Sequence, residues 1–466
     1  MSPPSPSLLI NLFLLCPVVA ANLTFSLSQF NPSPAFPPSD PYLFLSTSSR
    51  ARALGLKQAR RRRTRSGAAN SSSFVDTPLF SLSYGGYSIT LGFGTPPQPL
   101  PLVFDTGSSL VWFPCTSRYL CSRCSFTGVS KVRPFIPHLS SSARIVGCSN
   151  QKCGWFFGGN VASQCGHCGT QANCTCPPYI IEYGSGSTGG ILLTDTVTFP
   201  RGKAEAGILV GCSVSSVRQP AGIAGFGRAK ESLPAQLGAR RFSYCLQSRK
   251  FDDTPVSSKL VLETGPGRSG RKSAGTSYTP FLRNPDKSIP AFQEFYYVLL
   301  WKVVVGSKQL KLPYKFLVPG ADGNGGTIVD SGTTFTFMEK PIFEIVAKEI
   351  EAQMGEHRRS IATEMKTGLW PCFNISRTKK VQFPGLGFRF KGGAEMALPQ
   401  ENYFALVGDT GDICFTVVTN DGTGPESGGG SGPAIILGSF QQQNFYVEYD
   451  LENKRLGFRK QNCIKR

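Results

Sequence analysis

The chain has 466 residues, 40% hydrophobic and 17% charged, enough for two or three domains and too apolar to be disordered throughout. Its formal net charge is +20, of which residues 1–75 supply +7 and the remainder +13. Beyond residue 75 the basic residues are scattered and no recognition motif gathers them, which argues against nucleic acid as partner. A solvated basic surface, or one that meets anionic cell-wall polysaccharide, remains. The 51 Gly, 35 Pro and 34 Phe set many turn-formers beside many β-formers, so a mostly β protein is expected.

Leu8 to Leu15 is apolar apart from Asn11, and small residues follow at Val19, Ala20 and Ala21. This pattern predicts a secretory signal peptide over 1–21; the alternative, a short membrane anchor, is poorly served by so short an apolar stretch. No later segment reads as transmembrane. Residues 22–75 are rich in Ser, Pro and Ala, show no sustained periodicity, and end in a basic run from Lys57 to Arg65. They read as a removable prosegment, or else as a solvated charge block.

From about Phe80 the pattern becomes that of short strands, expected at 87–94, 100–104, 191–199, 296–305, 445–449 and 455–458. The best helix is 341–354, with Ile342, Ile345, Val346, Glu349 and Ile350 at helical spacing. Of fifteen cysteines, Cys16 leaves with the signal and fourteen remain. In an exported chain they predict disulfides. Zinc is the alternative at the two-residue spacers Cys121/Cys124 and Cys165/Cys168. Acceptor sequons stand at Asn22, Asn70, Asn173 and Asn374, which predicts a glycoprotein.

An internal repeat carries the chemistry. Val103-Phe-Asp-Thr-Gly-Ser-Ser109 returns as Ile328-Val-Asp-Ser-Gly-Thr-Thr334. Each copy is followed at long range by two apolar residues and a glycine, Ile223-Ala-Gly225 and Ile436-Leu-Gly438. Two halves with the same landmarks imply a duplicated β lobe. Asp105 and Asp330 would end apolar strands, Gly107 and Gly332 would supply backbone angles closed to other residues, and Thr106, Ser108, Ser331 and Thr333 would offer hydroxyls. Two carboxylates that meet cannot both ionise cheaply, so they share a proton. The ionised member can then activate a water while the protonated one donates to a carbonyl. Aspartic proteases are the established example of this pattern. It requires no metal and no cofactor.

These paired motifs resemble those of pepsin-like aspartic proteases over residues 84–463. The cysteine-rich insertion after the first motif, Phe242-Ser-Tyr-Cys-Leu246 and Gly438-Ser-Phe-Gln-Gln-Gln-Asn444 are similar to the plant branch typified by nepenthesins, although this chain has more cysteines. The resemblance implies an all-β, bilobal, disulfide-rich fold: two β-barrel lobes, 76–285 and 286–466, flank a cleft covered by a β-hairpin flap. It implies that Asp105 and Asp330 are catalytic. Tyr183, in Ile181-Glu-Tyr-Gly-Ser-Gly-Ser187, would be the flap tyrosine, with Trp112 against it. Ser108 and Thr333 would bond the outer carboxylate oxygens, and Thr106 and Ser331 would brace the two loops. The basic run could pair with the carboxylates at neutral pH, or be a processing site.

A third Asp-Thr-Gly, Asp409 to Gly411, is followed by Asp412 instead of a hydroxyl residue and reads as a surface turn. Only three histidines exist, His138, His167 and His357, and none sits in a serine-protease motif. The expected protein is therefore a monomeric, secreted acid endopeptidase acting on polypeptides in the apoplast, cell wall or vacuole. The rival is a catalytically silent relative that binds another enzyme or the wall.

Overall fold

The structure is a computed structural model. It describes residues 21–29, 41–62 and 86–463, apart from 123, 125–132, 159–160, 162–164, 167–173, 184–185, 200–203, 219–220, 249–256, 265–271, 286–292, 378–379, 409–410 and 421–431. Residues 1–20 of the expected signal peptide, the basic residues after Arg62, Asn70 and Asn173 lie outside this set.

Alternating side chains build the first hairpin. In the strand Tyr87–Phe93, Tyr87, Ile89, Leu91 and Phe93 are buried while Thr90 faces solvent. That strand pairs antiparallel with Gln98–Asp105, which carries Leu100, Leu102 and Phe104 into the same core. Each strand expected from the sequence has a counterpart, but the one expected at 191–199 begins earlier, at Gly186, and 296–305 divides into Tyr297–Val298 and Leu300–Val305, which join different sheets. The largest sheet has 15 strands and draws on both halves of the chain. Its join is the antiparallel pair Ala239–Cys245 with Phe445–Asp450, where Phe242 lies opposite Tyr449. The second half adds one 5-stranded and two 4-stranded sheets. The helix Lys340–Gln353 lies where its periodicity put it, with Ile342, Val346 and Ile350 buried.

The repeated landmarks meet as matching parallel pairs. Gly222–Gly225 runs beside Gln98–Asp105, with Gly225 opposite Asp105. Ile435–Leu437 runs beside Thr327–Val329, with Leu437 opposite Val329. A β-carbon on Gly225 would stand 2.1 Å from the Ser109 carbonyl oxygen, and one on Gly438 would stand 2.5 Å from that of Thr334. Each Asp-bearing loop therefore lies directly on its glycine, and only glycine fits.

The N-terminal segment departs from expectation. Ala21–Gln29 is a strand inserted between Ser257–Thr264 and Tyr87–Phe93. Pro41–Arg62 is a helix of 22 residues. Ser48 and Ala51 are buried as well, but the main stripe, Tyr42, Leu45, Ser46, Ser49, Arg52, Ala53, Leu56 and Lys57, recurs at spacings of three and four. Half of that stripe is Ser, Arg or Lys, so an apolar count along the sequence does not reveal the face.

Six disulfides join described residues: Cys115–Cys212, Cys121–Cys124, Cys148–Cys165, Cys153–Cys176, Cys245–Cys463 and Cys372–Cys414. Cys121 and Cys124 are thus bonded to each other, and Cys165 is taken by Cys148, which removes the thiolates the zinc alternative needs. Among the described residues no helix is long and apolar enough to cross a membrane.

Cys245–Cys463 closes the longest loop, 218 residues apart in sequence. Replacing both cysteines by serine is expected to lower stability by about 2–5 kcal/mol. Urea unfolding checks this; an unchanged midpoint would contradict the expectation.

Candidate active site

Two loops face each other with near mirror-image bonding. On the first, the Gly107 amide donates to Asp105 Oδ1 at 2.9 Å and the Ser108 hydroxyl to Oδ2 at 2.5 Å. On the second, the Gly332 amide donates to Asp330 Oδ1 at 2.8 Å and the Thr333 hydroxyl to Oδ2 at 2.6 Å. The loops are cross-braced. The Thr106 amide donates to Ser331 Oγ at 3.1 Å and the Ser331 amide to Thr106 Oγ1 at 2.9 Å. The two hydroxyls then donate onward, Thr106 to the Val329 carbonyl and Ser331 to that of Phe104. Four bonds thereby lock two loops some 225 residues apart in sequence. The structure thus brings together the eight residues of the two motifs that the sequence nominated.

The reason for the motif glycines needs correcting. Neither Gly107 nor Gly332 adopts a left-handed conformation. What excludes a side chain is crowding: a β-carbon on Gly107 would lie 2.6 Å from Asp330 Oδ1, and one on Gly332 would lie 2.4 Å from Asp105 Oδ1. Each glycine gives up its side chain so that the opposite carboxylate can approach.

Tyr183 ends the strand Tyr179–Tyr183, which pairs antiparallel with Gly186–Thr198 as a hairpin. Its hydroxyl accepts from Trp112 Nε1 at 2.7 Å, and the two rings lie 6.4 Å apart. Trp112 is fully buried. The indole thus fixes the tyrosine at the site's edge.

A residue that the sequence reading missed occupies the centre. Arg52, midway along the N-terminal helix, donates from Nη2 to both oxygens of Asp105 at 2.8 Å. From Nε it reaches Asp330 Oδ2 at 3.2 Å. Its guanidinium also stands 5.8 Å from the centre of the Tyr183 ring. The arginine side chain is only 10% exposed, and the carboxylates 1% and 0%. Burial pushes Asp105 up to about 6, against the pull of Arg52 and with help from the Asp330 charge. Burial works against ionisation of Asp330 too, yet Arg52 and the Thr333 hydroxyl hold it below the usual carboxylate range.

The rest of the helix is anchored on the second half of the chain. The Tyr42 hydroxyl donates to the Leu406 carbonyl, Ser46 to that of Thr367 and Arg50 to that of Gly368, while the Phe335 amide donates to Ser49. Tyr42, Leu45, Ala53 and Leu56 pack with Phe335, Phe337, Val418 and Ile436. Lys57, the first residue of the basic run, pairs with Glu339 and not with the aspartates. The cation at the carboxylates thus stands five residues before that run. Tyr42, Leu45, Ser49, Ala53 and Leu56 do stand at helical spacing, but the serine interrupts the apolar row, so it gives too weak a signal to mark the helix from the sequence.

The third Asp-Thr-Gly, read from the sequence as a surface turn, and the sequon residue Asn374 lie elsewhere. Asp409 is outside the described residues; Gly411 takes φ 72°, and Asp412 opens a buried strand. Asn374 Nδ2 donates to Asp412 Oδ1 at 2.6 Å.

Comparison with known proteins agrees with this architecture. Residues 87–262 match the family described as "Xylanase inhibitor N-terminal" and residues 295–460 that described as "Xylanase inhibitor C-terminal". The chain is 33% identical over 425 residues to a probable aspartyl protease of Arabidopsis thaliana, covering 81% of this chain and 82% of that one. It is 32% identical over 402 residues to aspartic proteinase nepenthesin-1 of Nepenthes gracilis, covering 84% and 82%. Among solved structures, edgp superposes with a TM-score of 0.58 at 20% identity, covering 81% of this chain and 92% of that chain. Conglutin gamma from lupine seeds gives 0.55 at 18%, covering 80% and 91%. The last two show the fold alone. The chain belongs to the pepsin-like aspartic protease family.

Arg52→Gln removes the cation from the pair. The proton-uptake step of Asp105, near pH 6, is expected to move up by about 1–3 units. A difference titration against the parent chain reads it; a step that stays in place would contradict the assignment.

Proposed function

We propose that the chain is a secreted aspartic endopeptidase made as an inactive precursor, with Asp105 and Asp330 as its catalytic pair and residues 22–75 as a removable prosegment. The observation that carries this reading is the meeting of two buried carboxylates from symmetry-related loops, each with hydrogen-bond donors on both oxygens. Once Arg52 leaves, the two carboxyls share a proton. The ionised one takes a proton from a water lying between them. The other donates to the scissile carbonyl as that water attacks, and the resulting diol collapses with protonation of the leaving amine. Tyr183, held by Trp112, closes over the peptide and shuts out bulk water.

The helix supplies the precursor's lock. Its guanidinium fills the place where substrate and water would sit. Burial raises the affinity of Asp105 for protons and the Arg52 charge opposes that rise, so the Arg52–Asp105 attraction is complete at neutral pH, where Asp105 is ionised. It fades as pH falls through about 6 and the carboxyl protonates. Asp330, held low, lets go later. Release is thus expected in acid, in the sense that an acid protease requires. The signal-like start and the disulfides support export to the apoplast, wall or vacuole as a monomer, and Asn70, Asn173 and Asn374 are the proposed glycan acceptors.

The family descriptions that name xylanase inhibitors favour a second reading, a silent binding protein. One assay separates the two. The full chain is acidified with an unfolded protein as substrate, alone and with a transition-state analogue of the pepstatin type. Cleavage is expected to start faster the further pH drops below 6, to be blocked by the inhibitor, and to fall about 10²–10⁴-fold in Asp330→Asn. Arg52→Gln is expected to cleave without the acid lag. Cleavage indifferent to both inhibitor and Asp330→Asn would refute the mechanism, and no cleavage at all would leave the binding protein.

A further inference from the structure

We infer that Glu339 forms the floor of a substrate subsite that takes a lysine or arginine side chain; this rests on the protease reading above. The present occupant of that position is Lys57. Its side chain is 3% exposed, its ammonium bonds the Glu339 carboxylate, and it sits 4.5 Å from the centre of the Phe337 ring. The backbone closes in as well: a β-carbon on Gly432 would meet Lys57 Cα at 3.1 Å. Burial pulls the lysine's proton affinity down, so the charge is kept by Glu339.

Glu339 has no other evident employment. It precedes the helix Lys340–Gln353 but makes no side-chain cap there, and among the described residues its carboxylate pairs with Lys57. Its backbone is fixed, because the Glu339 amide donates to the Ala434 carbonyl at 2.8 Å and its own carbonyl accepts from Ile342 and Phe343. When the helix departs, a carboxylate only 12% exposed in its present pairing stays beside an aromatic face, with no cation. An aromatic ring and a carboxylate set at fixed geometry favour a cation on a long aliphatic stem.

Its distance from the reacting centre follows from the helix. Lys57 is five residues from Arg52, about 7.5 Å along a helix axis. An extended peptide covers that span in about two residues. The subsite therefore reads the substrate side chain some two positions from the bond that is cut, on the side lined by the second half of the chain.

The test uses acid-activated full-length chain and fluorogenic peptides with lysine, norleucine or glutamate at each of the three positions on either side of the scissile bond. At one position the parent enzyme is expected to show kcat/KM about tenfold higher for lysine than for norleucine. Glu339→Gln is expected to bring that ratio near one. Glu339→Lys is expected to invert the preference toward glutamate, a gain that misfolding cannot produce. No lysine preference at any position, or a preference that both variants retain, overturns the subsite while leaving the protease reading intact. Failure to cleave any peptide overturns both.

Discussion

Two buried carboxylates that share one guanidinium set the terms for the rest of this molecule. Uncompensated, the pair is a buried like-charge repulsion, which the interior penalises heavily. Each oxygen is therefore met by a donor: backbone amides of Gly107 and Gly332 on one side, hydroxyls of Ser108 and Thr333 on the other. The glycines, the crossed Thr106–Ser331 bonds and the underlying Gly225 and Gly438 all serve that approach. Replacing any of them pushes one loop away from its twin.

That constraint also explains why the fold is double. One lobe can present one exposed carboxylate at a strand end, but a pair needs two such ends aimed at each other. Parallel pairing of Gly222–Gly225 with the first motif strand, and of Ile435–Leu437 with the second, holds each end. The sheet running through Phe242 and Tyr449 fixes the halves relative to one another. The N-terminal segment exploits the same geometry. It is tied to the sheet by a strand, to the second half by its helix, and to both carboxylates by Arg52.

Much of this was legible in the residues, because the site is local and repeated. Asp-(Thr/Ser)-Gly-(Ser/Thr) twice, each with its downstream apolar-apolar-Gly, carries enough information to name the pair and the braces. The strand pattern was legible because one face of each strand is apolar, as in Tyr87 to Phe93. The N-terminal helix was not, because its buried face is built from Ser46, Ser49, Arg52 and Lys57 as much as from Leu45 and Leu56. Those polar residues are buried only because carbonyls and carboxylates of distant segments receive them. The motif glycines were found for the wrong reason: their need is space for the opposite carboxylate, and that appears only once both loops stand together. Glu339 carries no motif, and its meaning lies wholly in what it faces.

Hydrogen exchange of the full chain, measured between pH 7 and pH 4 and corrected for intrinsic rates, tests the ionic lock most directly. Amides of Pro41–Arg62 are expected to be protected at neutral pH and to lose protection in acid, while the strand Gln98–Asp105 stays protected. A helix whose protection is the same at both ends of that range, with or without Arg52, would contradict the account.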